Sequence, residues 1–329
     1  MTTPDTSVRR FPLPSGPILG LFAVFLLFTA LIAGKGELGS FLSTGNLRVL
    51  IHENTIPAIM ALGMLLVMIS GGIDLSVGAV VALVTVVTMR LYVAMLPSGT
   101  STASIVAIVG GVFTGGLCGC LNGLIVTKLR LPPFVATLGM LGIARGLGIW
   151  IAERRPIAFP ANARPEWVES LSRSSLLNPG FWSLVALAIV IALMLHATVF
   201  GRHLYAVGSN EATARLCGVR VGRVKILTYT LAGLLMGWAG VVMFAHGDSG
   251  NPSAGEGLEL IVIASVVIGG ASLNGGRGTV VGTIVGVVIL GLLANGVSLF
   301  NVPVEMQYIL MGVIIIANVA IGQWRRNRA

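Results

Sequence analysis

The chain has 329 residues, of which 55% are hydrophobic and only 10% charged, and its mean hydropathy is +0.94. Soluble domains carry about 25% charged residues, so no soluble fold could bury this much apolar surface, and lipid must be part of the solvent. The three cysteines are too few for a disulfide framework. Composition therefore excludes a soluble domain and a small disulfide-stabilised one.

Ten apolar segments are long enough to predict membrane-spanning helices, which need about 20 residues each. They lie near 17–34, 53–70, 74–95, 103–127, 133–152, 181–199, 225–246, 258–272, 279–299 and 304–322. The predicted fold class is an all-α membrane protein, a polytopic bundle of about ten transmembrane helices. The bundle forms one membrane domain, 17–322, between an N-terminal tail, 1–16, and a C-terminal tail, 323–329.

The distribution of Lys and Arg predicts the orientation, because basic residues concentrate in cytoplasmic loops. With both termini in the cytoplasm, most of the 21 basic residues fall on inside segments. The long connection 153–180 is then periplasmic and the connection 200–224 cytoplasmic. The net charge of +9 therefore reflects topology and lipid contact, and no nucleic-acid partner is expected.

Faint internal similarity suggests a repeat. Ile69-Ser70-Gly71-Gly72 resembles Ile268-Gly269-Gly270, and glycines recur at spacing four within 111–123 and again within 278–286. Predicted helices two to five and seven to ten are therefore candidate structural repeats, as transporters often contain. The alternative is that glycine-rich membrane helices simply look alike. Glycines at spacing four share one helix face and predict a tight bundle or a tight subunit contact.

The stretch 70–78 interrupts an apolar region with glycines and a carboxylate. Gly71 and Gly72 offer a chain break, while Asp74 and Ser76 lie near a helix start, where their oxygens can accept from free N–H groups. A charged residue at membrane depth costs about 2.5–3.5 kcal/mol on insertion scales, so Asp74 is expected to face a cavity or a partner. Two interpretations stay open: a capped hinge, or a discontinuous helix that contacts solute.

Other intramembrane polar residues are sparse. Asn54, Asn122, Glu259 and Asn295 are further candidates for the translocation path or gate, although each could instead bond a neighbouring helix. Arg145 is expected to pair with a carboxylate or a carbonyl, and Glu259 is one candidate. Acids and histidines form no array typical of a proton relay, and the four histidines lack metal-ligand spacing, so no metal site is predicted.

The chain lacks the phosphate-binding pattern G-x-x-x-x-G-K-[ST]. It is therefore predicted not to be an enzyme and to bind no cofactor; if ATP drives it, ATP and Mg bind a separate subunit. A short helix is predicted from Glu211 to Val219 with Asn210 as its N-cap. Its apolar face, Ala212, Leu216 and Val219, suits a partner groove, or alternatively the membrane surface. The candidate residues for coupling to such an ATP-binding subunit are Asn210, Glu211, Ala212, Ala214, Arg215, Leu216 and Gly218.

Two of these motifs carry a family resemblance. The run Gly71-Gly72-Ile73-Asp74-Leu75-Ser76-Val77-Gly78 and the segment from Tyr205 to Gly218 resemble the permease subunits of ribose/xylose-type ABC sugar importers. Stretches 133–138, 259–270 and 275–279 share the resemblance, which covers about 45–322. The resemblance implies that residues 205–218 contact the ATPase subunit of such an importer.

The resemblance implies an ATP-driven importer of a monosaccharide, pentose or hexose, or of a polyol, working by alternating access in the bacterial inner membrane. Its implied partners are an identical or paralogous second permease, a cytoplasmic ATPase and a periplasmic sugar-binding protein. Four outer arginines are expected to dock that binding protein: Arg154, Arg155, Arg164 and Arg173. The alternative is a stand-alone ion-coupled secondary transporter of a small polar solute.

Overall fold

The computed structural model describes residues 15–34, 38–173, 175, 178–300 and four positions between 306 and 313. The predicted tails 1–16 and 323–329 lie outside this part of the chain, apart from residues 15 and 16. The helices of the described residues are labelled in chain order: α1 Ser15–Ala33, α2 Leu38–Phe41, α3 Thr44–Ile69, α4 Val77–Met95, α5 Thr100–Lys128, α6 Pro133–Ile151, α7 Glu166–Ser172, α8 Pro179–Ala197, α9 Val199–Ser209, α10 Glu211–Leu216, α11 Val221–Gly247, α12 Leu258–Ile268 and α13 Val280–Leu299. A 3-10 turn spans Leu96–Ser98, and two-residue strands β1 (Ile157–Ala158) and β2 (Ser249–Gly250) pair antiparallel.

Eight of the described helices are long and apolar enough to cross a membrane: α1, α3, α4, α5, α6, α8, α11 and α13. Helices α3, α4, α11 and α13 form the core, because 61–67% of each span is buried by protein. Helices α1 and α8 are only 11% and 22% buried, and most of their apolar surface is left for lipid. The predicted all-α polytopic bundle is confirmed.

Two of the ten predicted membrane spans are not among these eight helices. The prediction of a spanning helix over 258–272 is wrong, because α12 has 11 residues. At a rise of about 1.5 Å per residue it is about 17 Å long, roughly half of a hydrocarbon core about 30 Å thick. Gly255 and Gly257, with φ of 68° and 82°, keep the chain out of a helix just before it. The tenth predicted helix, 304–322, lies almost wholly outside the described residues.

The non-helical stretch before α12, residues 251–257, is held to neighbouring helices by hydrogen bonds. Arg145 on α6 donates to the carbonyl oxygens of Pro252 (2.7 Å) and Ala254 (3.3 Å). Thr85 on α4 accepts from the N–H of Asn251 at 3.1 Å. Irregular backbone within a membrane protein needs such internal partners, since lipid offers none. Of the two partner types expected for Arg145, the structure has carbonyls, and Glu259 is not among its hydrogen-bond partners in the described residues.

The chain reverses in the same way after α3 and after α12. Gly71 N–H donates to Met68 O at 3.0 Å and Gly72 N–H to Val67 O at 3.1 Å. After α12 the N–H groups of residues 270 and 271 make the same two bonds, at 2.9 and 3.1 Å, to the carbonyls three and five residues earlier. Gly71 and Gly270 both have left-handed φ, 82° and 91°, as this helix ending requires. The larger repeat of helices two to five and seven to ten stays a prediction.

The two ends of the bundle differ in charge. At one end α3, α5, α9 and α12 finish and α6 and α11 begin; we call it the basic end. Its described basic residues are Lys128, Arg130, Arg202, Arg215, Arg220, Arg223, Lys225 and Arg277. The opposite end carries α7, the β1–β2 pair and balanced ion pairs such as Arg90–Glu153, 2.6 Å apart.

The glycines of α5 bring its backbone directly against α11. A methyl group added at Gly115 would lie 2.5 Å from Gly237 N, and one at Gly119 would overlap Tyr229 O. Gly233 of α11 in turn faces Gly115 O and the Cα of Gly119. The spacing-four glycines therefore build a contact within this chain, the first of the two roles that their pattern predicts.

Replacing Gly233 by Ala should destabilise the bundle, because the added methyl group would push two backbones apart. Overpacking of this kind typically costs about 1–3 kcal/mol. The control is Gly148→Ala on α6, a buried glycine whose nearest heavy atoms would be 3.7 Å from the new methyl group. The measurement is the thermal midpoint of the purified protein in detergent; equal midpoints for the two variants would contradict the prediction.

Candidate functional site

A buried polar cluster lies at the break between α3 and α4. Ser76 donates to Asp74 Oδ1 from its backbone N–H (2.8 Å) and from its hydroxyl (2.6 Å). Asn122 on α5 donates from Nδ2 to Ser76 Oγ at 3.0 Å. All three side chains are buried. The structure therefore brings three of the predicted path residues together, and Gly71 and Gly72 form the turn that leads into them.

The chain break is also held from α6 and α11. Thr137 Oγ1 accepts from Leu75 N–H at 3.1 Å, and an added methyl group at Gly72 would strike the Tyr229 hydroxyl. Tyr229 OH and Asn122 Oδ1 are buried without a hydrogen-bond partner among the described residues. The cluster thus retains a hydroxyl and an amide oxygen that are not used within the described chain. Neither Thr137 nor Tyr229 was predicted as a site residue, since each occupies an ordinary helical position in the sequence.

The cluster lies nearer the basic end than the middle of the bundle. Asn122 precedes the last residue of α5, Lys128, by six positions, which is about 9 Å at the rise of an α-helix. Helix α4 begins at Val77 rather than at residue 74, and Ser76 makes no side-chain capping bond to it. Asp74 instead accepts from the N–H of Ser76, so its carboxyl group stabilises the break itself.

Two of the remaining path candidates lie elsewhere. Asn295 on α13 exchanges two hydrogen bonds with Asn46 on α3, at 2.8 and 3.0 Å. Asn54 donates to Leu50 O in its own helix. Asn54 and Asn295 both border a cleft of about 400 Å³ between α3, α13 and the start of α12, toward the opposite end. These two asparagines therefore do not belong to the cluster around Asp74.

Glu259, in the first turn of α12, lies against the start of α4. An added methyl group at Gly78 would be 2.5 Å from Glu259 Oε2. Gly78 is two residues beyond Ser76, so Glu259 lies beside the first turn after the break. Glu53 borders the cleft next to Asn54.

The predicted coupling helix is present as α10, although it ends at Leu216 rather than at Val219. Asn210 Oδ1 accepts from Thr213 N–H at 2.9 Å, as an N-cap does. Gly218, with φ of 81°, turns the chain away soon after the helix and so shortens it. The connection 200–224 is mostly helical, because α9 precedes α10 and α11 begins at Val221.

Glu211 ties α10 to α11. Its Oε1 accepts from Arg215 at 3.0 Å and its Oε2 from Lys225 at 2.6 Å. The hydrogen bond from Lys225, the largest effect, holds the pKa of Glu211 below its ordinary value, and Arg215 lowers it further. The carboxylate therefore stays ionised at neutral pH, where the two ion pairs are fully formed.

The apolar face of α10 is only partly as predicted. Leu216 is 88% exposed and Ala212 is exposed beside it, so these two side chains are available to a partner. Ala214 is buried. Val219 was predicted to share the exposed face, but it is half-buried and packs against the core, because the chain turns back at Gly218.

Helix α9 connects this segment directly to the break. An added methyl group at Gly208 would overlap Ile69 O, the last carbonyl of α3. Gly276 N–H donates to the same Ile69 O at 2.9 Å, and Gly275 lies against Gly71. We call this meeting of three backbones the glycine junction; its residues are Ile69, Gly71, Gly208, Gly275 and Gly276. At this junction the backbone of α9 touches the backbone at the end of α3.

The four predicted docking arginines fall into two pairs. Arg164 lies 2.9 Å from Asp248 and Arg173 lies 2.6 Å from Glu169, so both have an ion-pair partner within the chain. Arg154 and Arg155 are exposed and have no ion pair in the part of the chain that the structure describes. The structure therefore separates two candidates with free charge from two with local partners.

Replacing Ser76 by Ala should destabilise the chain break, because Asn122 Nδ2 loses its acceptor and Asp74 loses its hydroxyl donor, keeping only the backbone N–H of residue 76. Leaving buried polar groups unsatisfied costs about 1–3 kcal/mol. The control is Ser104→Ala on α5, whose hydroxyl donates to Thr100 O within its own helix. Thermal unfolding in detergent measures both, and a loss at Ser76 no larger than at Ser104 would count against a structural role for the cluster.

Similarity to known proteins extends over most of the chain. A family model described as the permease component of branched-chain amino acid transport systems matches residues 49–319. The chain is similar to the ribose import permease protein RbsC of Bacillus subtilis, with 38% identity over 94% of this chain and 92% of that protein. It is also similar to the L-arabinose ABC transporter permease protein AraH of Azospirillum brasilense, with 35% identity over 94% and 88%.

A third relative is the fructose import permease protein FrcC of Rhizobium meliloti, with 32% identity over 95% of this chain and 86% of that protein. No solved structure gives a significant match. The matches span nearly the whole bundle, including the chain break and the predicted coupling segment. The chain therefore belongs to this family of ABC-transporter permease components.

Proposed function

We propose that this chain is the membrane subunit of an ATP-driven importer of a monosaccharide, pentose or hexose, or of a polyol. The relatives are named for ribose, arabinose and fructose, which are all small polyhydroxylated solutes. A neutral solute of this kind needs hydrogen-bonding groups rather than fixed charges along its path. Asn122 and Tyr229, with unused polar atoms beside Asp74, provide such groups.

The proposed setting is the bacterial inner membrane, with both termini and the basic end in the cytoplasm. The support is the concentration of Lys and Arg at that end, against balanced ion pairs at the other. The proposed partners are a second permease, identical or paralogous, a cytoplasmic ATPase and a periplasmic sugar-binding protein. ATP and Mg belong to the ATPase, and this chain binds no cofactor of its own.

The observation that carries the proposal is the glycine junction. Helix α10 presents Leu216 and Ala212 outward, where the ATPase would press, and α9 leads from α10 to Ile69. Because backbone meets backbone there, a displacement of α9 must move the end of α3 and Gly71. The Asp74 cluster begins three residues beyond Gly71, so movement of the coupling segment changes the break directly.

An ion-coupled secondary transporter is the less favoured alternative. It would need titratable groups arranged along the path for the coupling ion. Asp74 is bonded within its own cluster, and Glu259 is the other acid near the break in the described structure. The relatives carry the names of import permeases of ABC type, which also favours a separate source of energy.

The test is reconstitution of the chain with its ATPase and binding protein, followed by sugar-dependent ATP hydrolysis and uptake. Gly208→Ala should leave the complex assembled but reduce sugar-stimulated hydrolysis about tenfold. A tenfold change corresponds to about 1.4 kcal/mol, which lies within the range of a typical overpacking cost. The double variant Glu211→Ala/Arg215→Ala should act in the same direction by releasing α10. The matched control is Gly142→Ala on α6, where the methyl group would meet no heavy atom within 4 Å.

Normal stimulation in an assembled Gly208→Ala transporter would overturn the role of the junction. Uptake by the permease alone, driven by an ion gradient and indifferent to ATP, would overturn the importer function in favour of the secondary transporter. A folded-protein check by size-exclusion chromatography separates both results from simple misfolding.

Docking of the binding protein is proposed at Arg154 and Arg155. Replacing both by Glu should slow uptake in a salt-dependent way, because exposed charges act mainly on the encounter rate. Arg164→Glu/Arg173→Glu is the comparison pair, in which the same charge change falls on arginines that already have partners. Uptake rates are measured between low and high salt; an unchanged rate in the first pair would remove these two residues from the docking site.

A further inference from the structure

A large cavity lies at the basic end, between the α5–α6 corner, α10 and the start of α11. Its volume is about 810 Å³. Six basic residues line it: Lys128, Arg130, Arg215, Arg220, Arg223 and Lys225. Among the described lining residues the one acidic side chain is Glu211, so positive charge is in clear excess.

The charges of this cavity are not balanced within the described chain. Glu211 is shared by Arg215 and Lys225, at 3.0 and 2.6 Å. The other four basic residues have no ion pair among the described residues: Lys128, Arg130, Arg220 and Arg223. Like charges around one cavity repel each other, and a bound anion would relieve that repulsion.

Two helix starts add to the positive potential. Helix α6 begins at Pro133 and α11 at Val221, and both border the cavity. The first N–H groups of a helix have no partner inside the helix, and the helix dipole places partial positive charge there. At the start of α6 the lining residues are prolines, which have no N–H. At the start of α11 the N–H of Val221 already donates to Val219 O, whereas the N–H groups of Gly222 and Arg223 have no backbone acceptor among the described residues. The cations of the lining and the free N–H groups at the start of α11 therefore converge on the same space, as in sites for phosphate.

The surroundings distinguish a lipid from a free anion. Leu129 and Phe134 are 66% and 55% exposed next to the cavity, and Leu131 lies in its lining with 39% exposed. Leu129 directly follows α5 and Phe134 is the second residue of α6, and both helices are long and apolar enough to span a membrane. A ligand with a phosphate headgroup and acyl chains would contact both surfaces, whereas a free anion would leave the apolar one uncovered.

We propose that this cavity binds the headgroup of an anionic phospholipid, with Arg130 and Arg223 contacting the phosphate and the acyl chains lying along Leu129, Leu131 and Phe134. Basic pockets between membrane helices are suited to such headgroups. The inference rests on the proposed function only for placing the basic end at the cytoplasmic leaflet. The bound lipid would lie beside α10, where it contacts both the coupling segment and the membrane.

The test is native mass spectrometry of the full-length chain, purified in mild detergent and titrated with phosphatidylglycerol or phosphatidylcholine. The variant Arg130→Gln/Arg223→Gln should bind phosphatidylglycerol roughly 30-fold more weakly than the unmodified chain, at the contribution per basic residue typical of anionic membranes. The matched control is Arg202→Gln/Arg277→Gln, which removes two charges from the same end outside the cavity lining. It should bind like the unmodified chain.

Equal weakening in the control variant would overturn the site, because binding would then depend on the overall charge of this end. Equal binding of phosphatidylcholine would also overturn it, because the headgroup charge would then have no effect. A third arm adds inorganic phosphate alone; full displacement of the lipid by millimolar phosphate would assign the cavity to a free anion and overturn the lipid. The lipid-binding experiment contains no ATPase, binding protein or sugar. A negative result would therefore overturn the lipid site without bearing on the proposed import function.

Discussion

The absence of water in the bilayer core is the constraint on which the rest of this structure depends. Every interruption of a helix must find its hydrogen-bond partners within the protein. At the first interruption, Asp74 and Thr137 bind the backbone between α3 and α4. At the second, Arg145 and Thr85 bind the stretch before α12. Both breaks are thereby fixed by particular side chains, which makes them defined points of the fold rather than loose loops.

Close backbone contact is the second organising feature, and it depends on glycine. Between α5 and α11 it joins two long helices along several turns, whereas at the glycine junction it joins α9 to the end of α3. The contact between α5 and α11 stabilises the bundle. At the glycine junction, a displacement of α9 would also displace the end of α3. The same residue type therefore suits both purposes, and only the position in the fold distinguishes them.

The sequence predicted those features that depend on local chemistry. Eight helices, the N-cap at Asn210, the break at Gly71-Gly72 and the close packing of α5 follow from apolar length, capping preference and glycine spacing. It did not predict the short α12, because the apolar run 258–272 continues across Gly269 and Gly270, where the helix ends. Thr137 and Tyr229 were also missed, since their roles arise from tertiary contacts that leave no local pattern.

The small β1–β2 pair joins the connection 153–180 to the second break. Ile157 pairs with Gly250, and the next residue, Asn251, is the one that Thr85 binds. The surface near Arg154 and Arg155 is thus only a few residues from the backbone that leads into α12. Strand pairing therefore connects that surface to the interior, as backbone contact at the glycine junction connects α9 to the end of α3. Each of the two breaks is therefore joined by backbone contacts to a different end of the bundle.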